Sequence, residues 1–174
     1  MSKKRSSQVM IKLAIFWVSF LIFHFAYSWF PVPAIAVFSG TNESIMQHAK
    51  IGFFAYSFAS LLEYFIWGRK QSNSSSFFDA RILTSVVFPW IMFIVWCMAP
   101  AFYGKPMPTI PAEIIYANIT LLMIGAILAI FEKDLSTIKY SKTARIILRI
   151  LWIIGMLEMV VFTFNLPWAD FFRG

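Results

Sequence analysis

Five long, predominantly apolar stretches dominate the chain: Met10 to Phe30, Ile51 to Trp67, Ile82 to Phe102, Ile114 to Phe131 and Ile146 to Leu166. About 20 apolar residues in a helix suffice to cross the hydrocarbon core of a bilayer. Lipid offers backbone amides no partner, so each stretch is expected to be helical. The second stretch is the shortest and is expected to extend outward through Thr41 to Lys50, with Thr41 or Asn42 as its cap and Glu43 near the positive end of its dipole. The fold class that follows is all-α. It is a polytopic transmembrane bundle of five helices in one domain over 1–174, with spans near 10–30, 43–67, 82–102, 112–131 and 146–166.

Composition and charge narrow the alternatives. The chain is 60% hydrophobic and only 13% charged, where a soluble domain is roughly 45–50% apolar and about 25% charged. A water-soluble fold of 174 residues could not hide that much apolar surface. The formal charge of +7 comes from short basic clusters between apolar runs. That pattern reads as membrane topology, and no nucleic-acid partner is expected. In the five-span arrangement one side holds Lys3, Lys4, Arg5, Lys12, Arg69, Lys70, Arg81, Lys133, Lys139, Lys142, Arg145 and Arg149, and the other only Lys50, Lys105 and Arg173. The imbalance places the amino terminus in the cytoplasm and the carboxyl terminus outside an inner (plasma) membrane. Trp29, Trp67, Trp90 and Trp168 fit an interfacial aromatic belt. The basic start and Ala34-Ile35-Ala36 resemble a secretory signal with its cleavage site. The first apolar run exceeds the 7–15 residues of a signal core, so a retained span is expected.

Ionisable groups inside lipid cost several kcal/mol unless they face the bundle interior, water or a partner. His24 and Tyr27 fall in the outer third of the first span, and Asn42, Glu43, Ser44 and His48 at the outer start of the second. Glu113, Tyr116 and Asn118 open the fourth, and Glu158 lies in the outer half of the fifth. Helical spacing puts His24 with Tyr27, Ser44 with His48, and Glu113 with Tyr116 and Thr120 on shared faces. The expectation is an outward-facing pocket lined by His24, Glu43, His48, Glu113 and Glu158. Glu43, His48, Glu113 and Glu158 are its candidates for acid–base chemistry. His24, Tyr27, Asn42, Ser44, Tyr116 and Asn118 are its candidates for ligand binding. The alternative is that these groups cap helices at the water interface and that His24 is a hydrogen-bonded core residue. Glu63 is expected to pair with Arg69 or Lys70, away from the pocket.

Several chemistries find no support. The sequence holds no phosphate loop, dinucleotide fingerprint or His-Glu-x-x-His helix. The histidine and carboxylate spacing matches no standard metal site, so neither metal nor cofactor is expected. Cys97 is the single cysteine, which rules out an internal disulfide.

From His24 to about Gly68 the chain reads His24-Phe25-Ala26-Tyr27-Ser28-Trp29, then Asn42-Glu43-Ser44 followed by His48 and Lys50. This segment resembles a family of small bacterial integral membrane proteins that carry Asn-Glu-Ser-x-x-x-His-x-Lys at the outer end of the second span. Met46 and Gln47 stand where that family has Trp and Glu, which removes one carboxylate. The resemblance implies a bacterial membrane origin and attaches no activity. Three functions stay open. The pocket could bind or act on a lipid-like or small amphiphilic ligand; the chain could be an accessory or immunity-type subunit of a membrane complex, with a protein partner or self-association; or an oligomer could transport an ion or small solute.

Overall fold

A computed structural model describes residues 3–70, 74–104 and 107–166. Trp168, Lys105, Arg173 and part of the serine-rich turn at 72–76 lie outside the described residues or in part so. Every regular element among the described residues is a helix: α1 (Lys3–Trp29), α2 (Pro33–Ala36), α3 (Ile45–Ile66), a 3-10 turn at Gly68–Lys70, α4 (Ser74–Tyr103), α5 (Ile110–Leu135) and α6 (Lys142–Phe164). Four of them, α1, α4, α5 and α6, are long and apolar enough to cross a membrane by length and composition. The chain is therefore a membrane-spanning protein. α3, the expected second span, is a helix of 22 residues. It carries Gln47, Lys50 and Glu63, all buried.

Local chemistry sets the helix ends. Ser44, not Thr41 or Asn42, caps α3: its hydroxyl accepts from the Gln47 N–H at 3.3 Å. Asn42 acts one step earlier, accepting the Ser44 N–H at 2.9 Å and folding the loop onto the helix start. Thr109 caps α5 and Ser141 caps α6 in the same manner as Ser44, each accepting the N–H three residues on.

α1, α3, α4 and α5 close a ring in which each packs on the next and α5 returns to α1, while α6 lies outside on α4 and the edge of α3. Alternating helix direction brings Lys12, Glu63, Arg81 and Glu132 together at one end. His24, His48, Trp96 and Asn118 gather at the other. We call these the basic end and the histidine end. Twelve residues separate Lys12 from His24 on α1, a rise of about 18 Å. Between them the ring is filled by Phe16, Phe20, Tyr56, Phe88 and Ile124. The Phe16, Tyr56 and Phe88 rings stand 5.2–5.4 Å apart. Gly52 lets α4 approach α3: a Cβ at this position would sit 2.4 Å from the Phe88 ring.

α1 supplies Lys12, Phe16 and Phe20 to this core. Ala36, in the signal-like Ala34-Ile35-Ala36 stretch, is buried at the end of α2, and its carbonyl accepts from Lys50 Nζ at 2.8 Å. The same ammonium donates to Thr163 Oγ1 of α6 at 2.7 Å. An ammonium at the carbonyl end of α2 also suits that helix's dipole. Ile146, Ile150, Ile153, Leu157, Val161 and Phe164 of α6 face outward, an apolar wall suited to lipid.

Candidate functional site

Two sets of polar side chains are built into the ring. The first, at the basic end, lies outside the sequence expectations. Glu63 and Glu132 are fully buried, and Lys12 and Arg81 nearly so. Lys12 Nζ pairs with Glu132, lies 3.1 Å from Glu63 Oε2 and donates to Ser60 Oγ at 2.9 Å. Arg81 reaches Glu63 through Nη2 at 2.7 Å and Nε at 3.1 Å, and Lys133 Nζ reaches the same carboxylate at 2.7 Å. Tyr56 and Thr84 donate their hydroxyls to Glu132 at 3.1 and 2.5 Å. Every ring helix contributes a charge or a donor, so charges that would be prohibitive alone in lipid are satisfied together.

The expected pairing of Glu63 with Arg69 does not form, and the Lys70 side chain lies outside the described residues. Its partners are Lys12, Arg81 and Lys133, which the topology count treats as loop charges. Arg69 instead lies over the Tyr64 and Phe65 rings. The one sequence signal was depth: Lys12 and Glu132 each sit inside a helix otherwise suited to lipid.

The second set lines a cavity of about 480 Å³ at the histidine end, between α1, α4, α5 and the start of α3. Its apolar wall is Phe20, Leu21, Met92, Trp96 and Leu121, and its polar wall His24, Glu43, His48, Glu113 and Asn118. Glu43 Oε2 lies 3.9 Å from His24 Nε2 and 3.4 Å from His48 Nε2. Glu43 is 77% exposed and the histidines about one-fifth exposed. His48 Nδ1 lies 2.9 Å from the Ser44 carbonyl oxygen. That oxygen can only accept, so Nδ1 carries a proton and Nε2 is the nitrogen turned toward Glu43. The loop before α3 is tied down as well: Ser39 Oγ accepts the Tyr27 N–H at 2.9 Å and donates to the Phe23 carbonyl.

The structure thus brings His24, Glu43, His48, Glu113 and Asn118 to one cavity. Glu158 is not among its lining residues; it sits half-buried on α6, which does not border the cavity. Tyr27 does not line it either, and Asn42 and Ser44 shape the loop without reaching the cavity. Tyr116 donates its hydroxyl to the Val95 carbonyl and packs on Trp96 at 5.5 Å. Trp17, which no motif marks, donates to Asn118 Oδ1 at 3.0 Å and sets that amide. One ligand atom from each of His24, Glu43 and His48 lies within 4.8 Å of the other two. The sequence spacing that argued against a metal site thus gives way to a compact donor set in space.

A second cavity of about 450 Å³ runs between α3, α4 and α6 with Phe23 of α1 on its rim; among the described residues its lining is aromatic and aliphatic apart from Ser57, Ser60, Ser85 and Arg81, with neither carboxylate nor histidine. The histidine end is therefore where ligand-directed chemistry concentrates. Its imidazoles and carboxylates can accept hydrogen bonds, exchange protons or ligate a cation. Comparison of the chain with protein-family models, with curated proteins and with solved structures finds no match.

Proposed function

We propose that this is a five-span bacterial inner-membrane protein, amino terminus cytoplasmic, whose histidine-end cavity opens outward and holds the head group of a lipid-like or other small amphiphilic ligand. One observation carries the reading: a cavity of about 480 Å³ combines a polar wall of His24, Glu43, His48, Glu113 and Asn118 with an apolar wall of Phe20, Leu21, Met92 and Leu121. A few convergent polar groups in a mainly apolar concavity are the usual make-up of a small-molecule site.

Support for the fifth span comes from α3 itself. Its 22 residues give a length of about 33 Å, enough to cross the hydrocarbon core. Its Lys50 and Glu63 are buried in the bundle, so neither charge meets lipid. The orientation rests on the positive-inside rule applied to Arg69, just after α3, and to Lys139, Lys142, Arg145 and Arg149, between α5 and the first turns of α6. Within the cavity Glu43, His48 and Glu113 are the groups a bound head group would meet as acid or base.

The test is photolabelling of the protein in nanodiscs with a diazirine-bearing long-chain alkyl amine, whose charge complements Glu43 and Glu113. Labelling is expected at Met92, Trp96 or Leu121 and to be displaced by the unmodified alkyl amine. Ala117→Trp, which fills the cavity from α5, is expected to reduce it several-fold while the protein stays monodisperse. Equal, non-displaceable labelling of the wild type and A117W rejects the reading.

A further inference from the structure

We propose that His24, His48 and Glu43 bind one divalent transition-metal ion, with Zn²⁺ the best match. The site shares its cavity with the amphiphile reading but can be measured without it.

Donor chemistry is the first argument. Two imidazole nitrogens and one carboxylate suit zinc and its neighbours, whereas calcium and magnesium take oxygen ligands. A tetrahedral zinc with bonds of 2.0–2.1 Å sets its ligand atoms about 3.4 Å apart. Glu43 Oε2 lies 3.4 Å from His48 Nε2 and 3.9 Å from His24 Nε2. All three ligand atoms lie within 4.8 Å of one another, so closing on an ion draws them in by up to about 1.4 Å, through movement of the exposed Glu43 on its loop and rotation of the imidazoles.

Preorganisation is the second. Metal-ligating histidines commonly donate their second N–H to a carbonyl or carboxylate, which fixes tautomer and ring. His48 does this through Nδ1 to the Ser44 carbonyl at 2.9 Å. Ser44 is itself held as the cap of α3, with its N–H on Asn42. The Asn-Glu-Ser segment thus performs two tasks: its outer residues fix the helix start and its central carboxylate faces both imidazoles.

The third argument is what an ion pair alone leaves unexplained. One protonated histidine would satisfy Glu43. Two imidazoles with ring centroids 5.1 Å apart both turn Nε2 toward the same oxygen, and two imidazolium charges at that spacing would repel. Among the described residues no lysine or arginine nitrogen lies within 4.0 Å of the Glu43 carboxylate. Phe20, Phe25 and Trp96 pack around the imidazoles as an aromatic shell. Three protein ligands leave a coordination position for water or a ligand oxygen.

The experiment uses full-length protein in detergent, purified through a tag without histidines and stripped with a chelator. Zinc is then titrated by calorimetry and counted by elemental analysis, with Co²⁺ as a spectroscopic stand-in. The wild type is expected to bind one ion per chain and to give the intense visible absorption of four-coordinate Co²⁺. His24→Ala, His48→Ala and Glu43→Gln are each expected to lose stoichiometric binding. E43Q changes an exposed loop side chain, so it tests the site even if a histidine variant misfolds. A wild type that binds no stoichiometric zinc, or an E43Q that binds it as tightly, overturns the proposal. A117W separates the two readings: it should keep zinc while losing the alkyl amine label. Zinc binding without any labelling of the wild type rejects the amphiphile reading alone, and labelling without zinc rejects the metal site alone.

Discussion

Glu63 accepts from Arg81 and Lys133 and lies 3.1 Å from Lys12, so one buried carboxylate holds three helices through three cations. Glu63→Gln would leave those cations with Glu132 as their single buried counter-charge. Breaking a buried ion pair from one side costs about 3–5 kcal/mol, because the partner charge remains without compensation. We expect E63Q to lower the thermal unfolding midpoint in detergent sharply, or to abolish recovery of folded protein. The Arg5–Asp134 pair is a contrast at the same end: its side chains are 33% and 68% exposed. Exposed pairs contribute about 0–1 kcal/mol. Asp134→Asn should therefore move the same midpoint little, and equal losses for the two variants would show that burial is not what gives Glu63 its weight.

At the scale of the element, the α3–α4 contact is set by one missing side chain. A methyl at Gly52 would fall 2.4 Å from the Phe88 ring, which is fully buried, stacked on Tyr56 and met edge-on by Phe16. That ring has little room to swing, so Gly52→Ala must push α3 and α4 apart. The expected loss is about 1–3 kcal/mol, the range for overpacked cores. Gly155 on α6 is the matched control, since its nearest foreign atom, Phe53 Cε2, would be 3.9 Å from an added Cβ. There the better helix propensity of alanine should act alone, with a gain of up to about 1 kcal/mol. Thermal unfolding of both variants checks the contrast: destabilisation by G155A would mean that α6 packs more tightly than its exposed face indicates.

For the whole molecule, span number and orientation are linked. Five spans with a cytoplasmic amino terminus put the carboxyl end outside, whereas four spans, with α3 confined to one side, put it inside. A reporter enzyme active only outside the cytoplasm, fused after Gly174, is expected to be active, and a cytosolic fluorescent reporter there to be dark. The reverse pattern rejects α3 as a span and removes the outward opening of the histidine-end cavity. The transport alternative has a physical obstacle at this scale. Phe16, Phe20, Phe88 and Ile124 fill the ring between its two polar ends, so a polar path would have to run between chains of an oligomer.

Much of this protein was determined by local sequence. Apolar length dictated the helices, because lipid leaves the backbone no other partner. The depth of polar residues in each span foretold that His24, Glu43, His48, Glu113 and Asn118 would share a level, and they line one cavity. Which polar residues actually meet was decided by tertiary structure. Glu158 has the same depth as its expected companions, but α6 packs outside the ring and keeps it from the cavity. Lys12, Glu63, Arg81 and Glu132 are spread over four helices, and a buried ion network depends on which helix faces turn toward one another. Helix period and hydropathy do not encode that rotation where every face is apolar. The convergence of His24 and His48 on Glu43 has the same origin, since packing of α1 against α3 and the fold of the intervening loop, not spacing along the chain, set those distances.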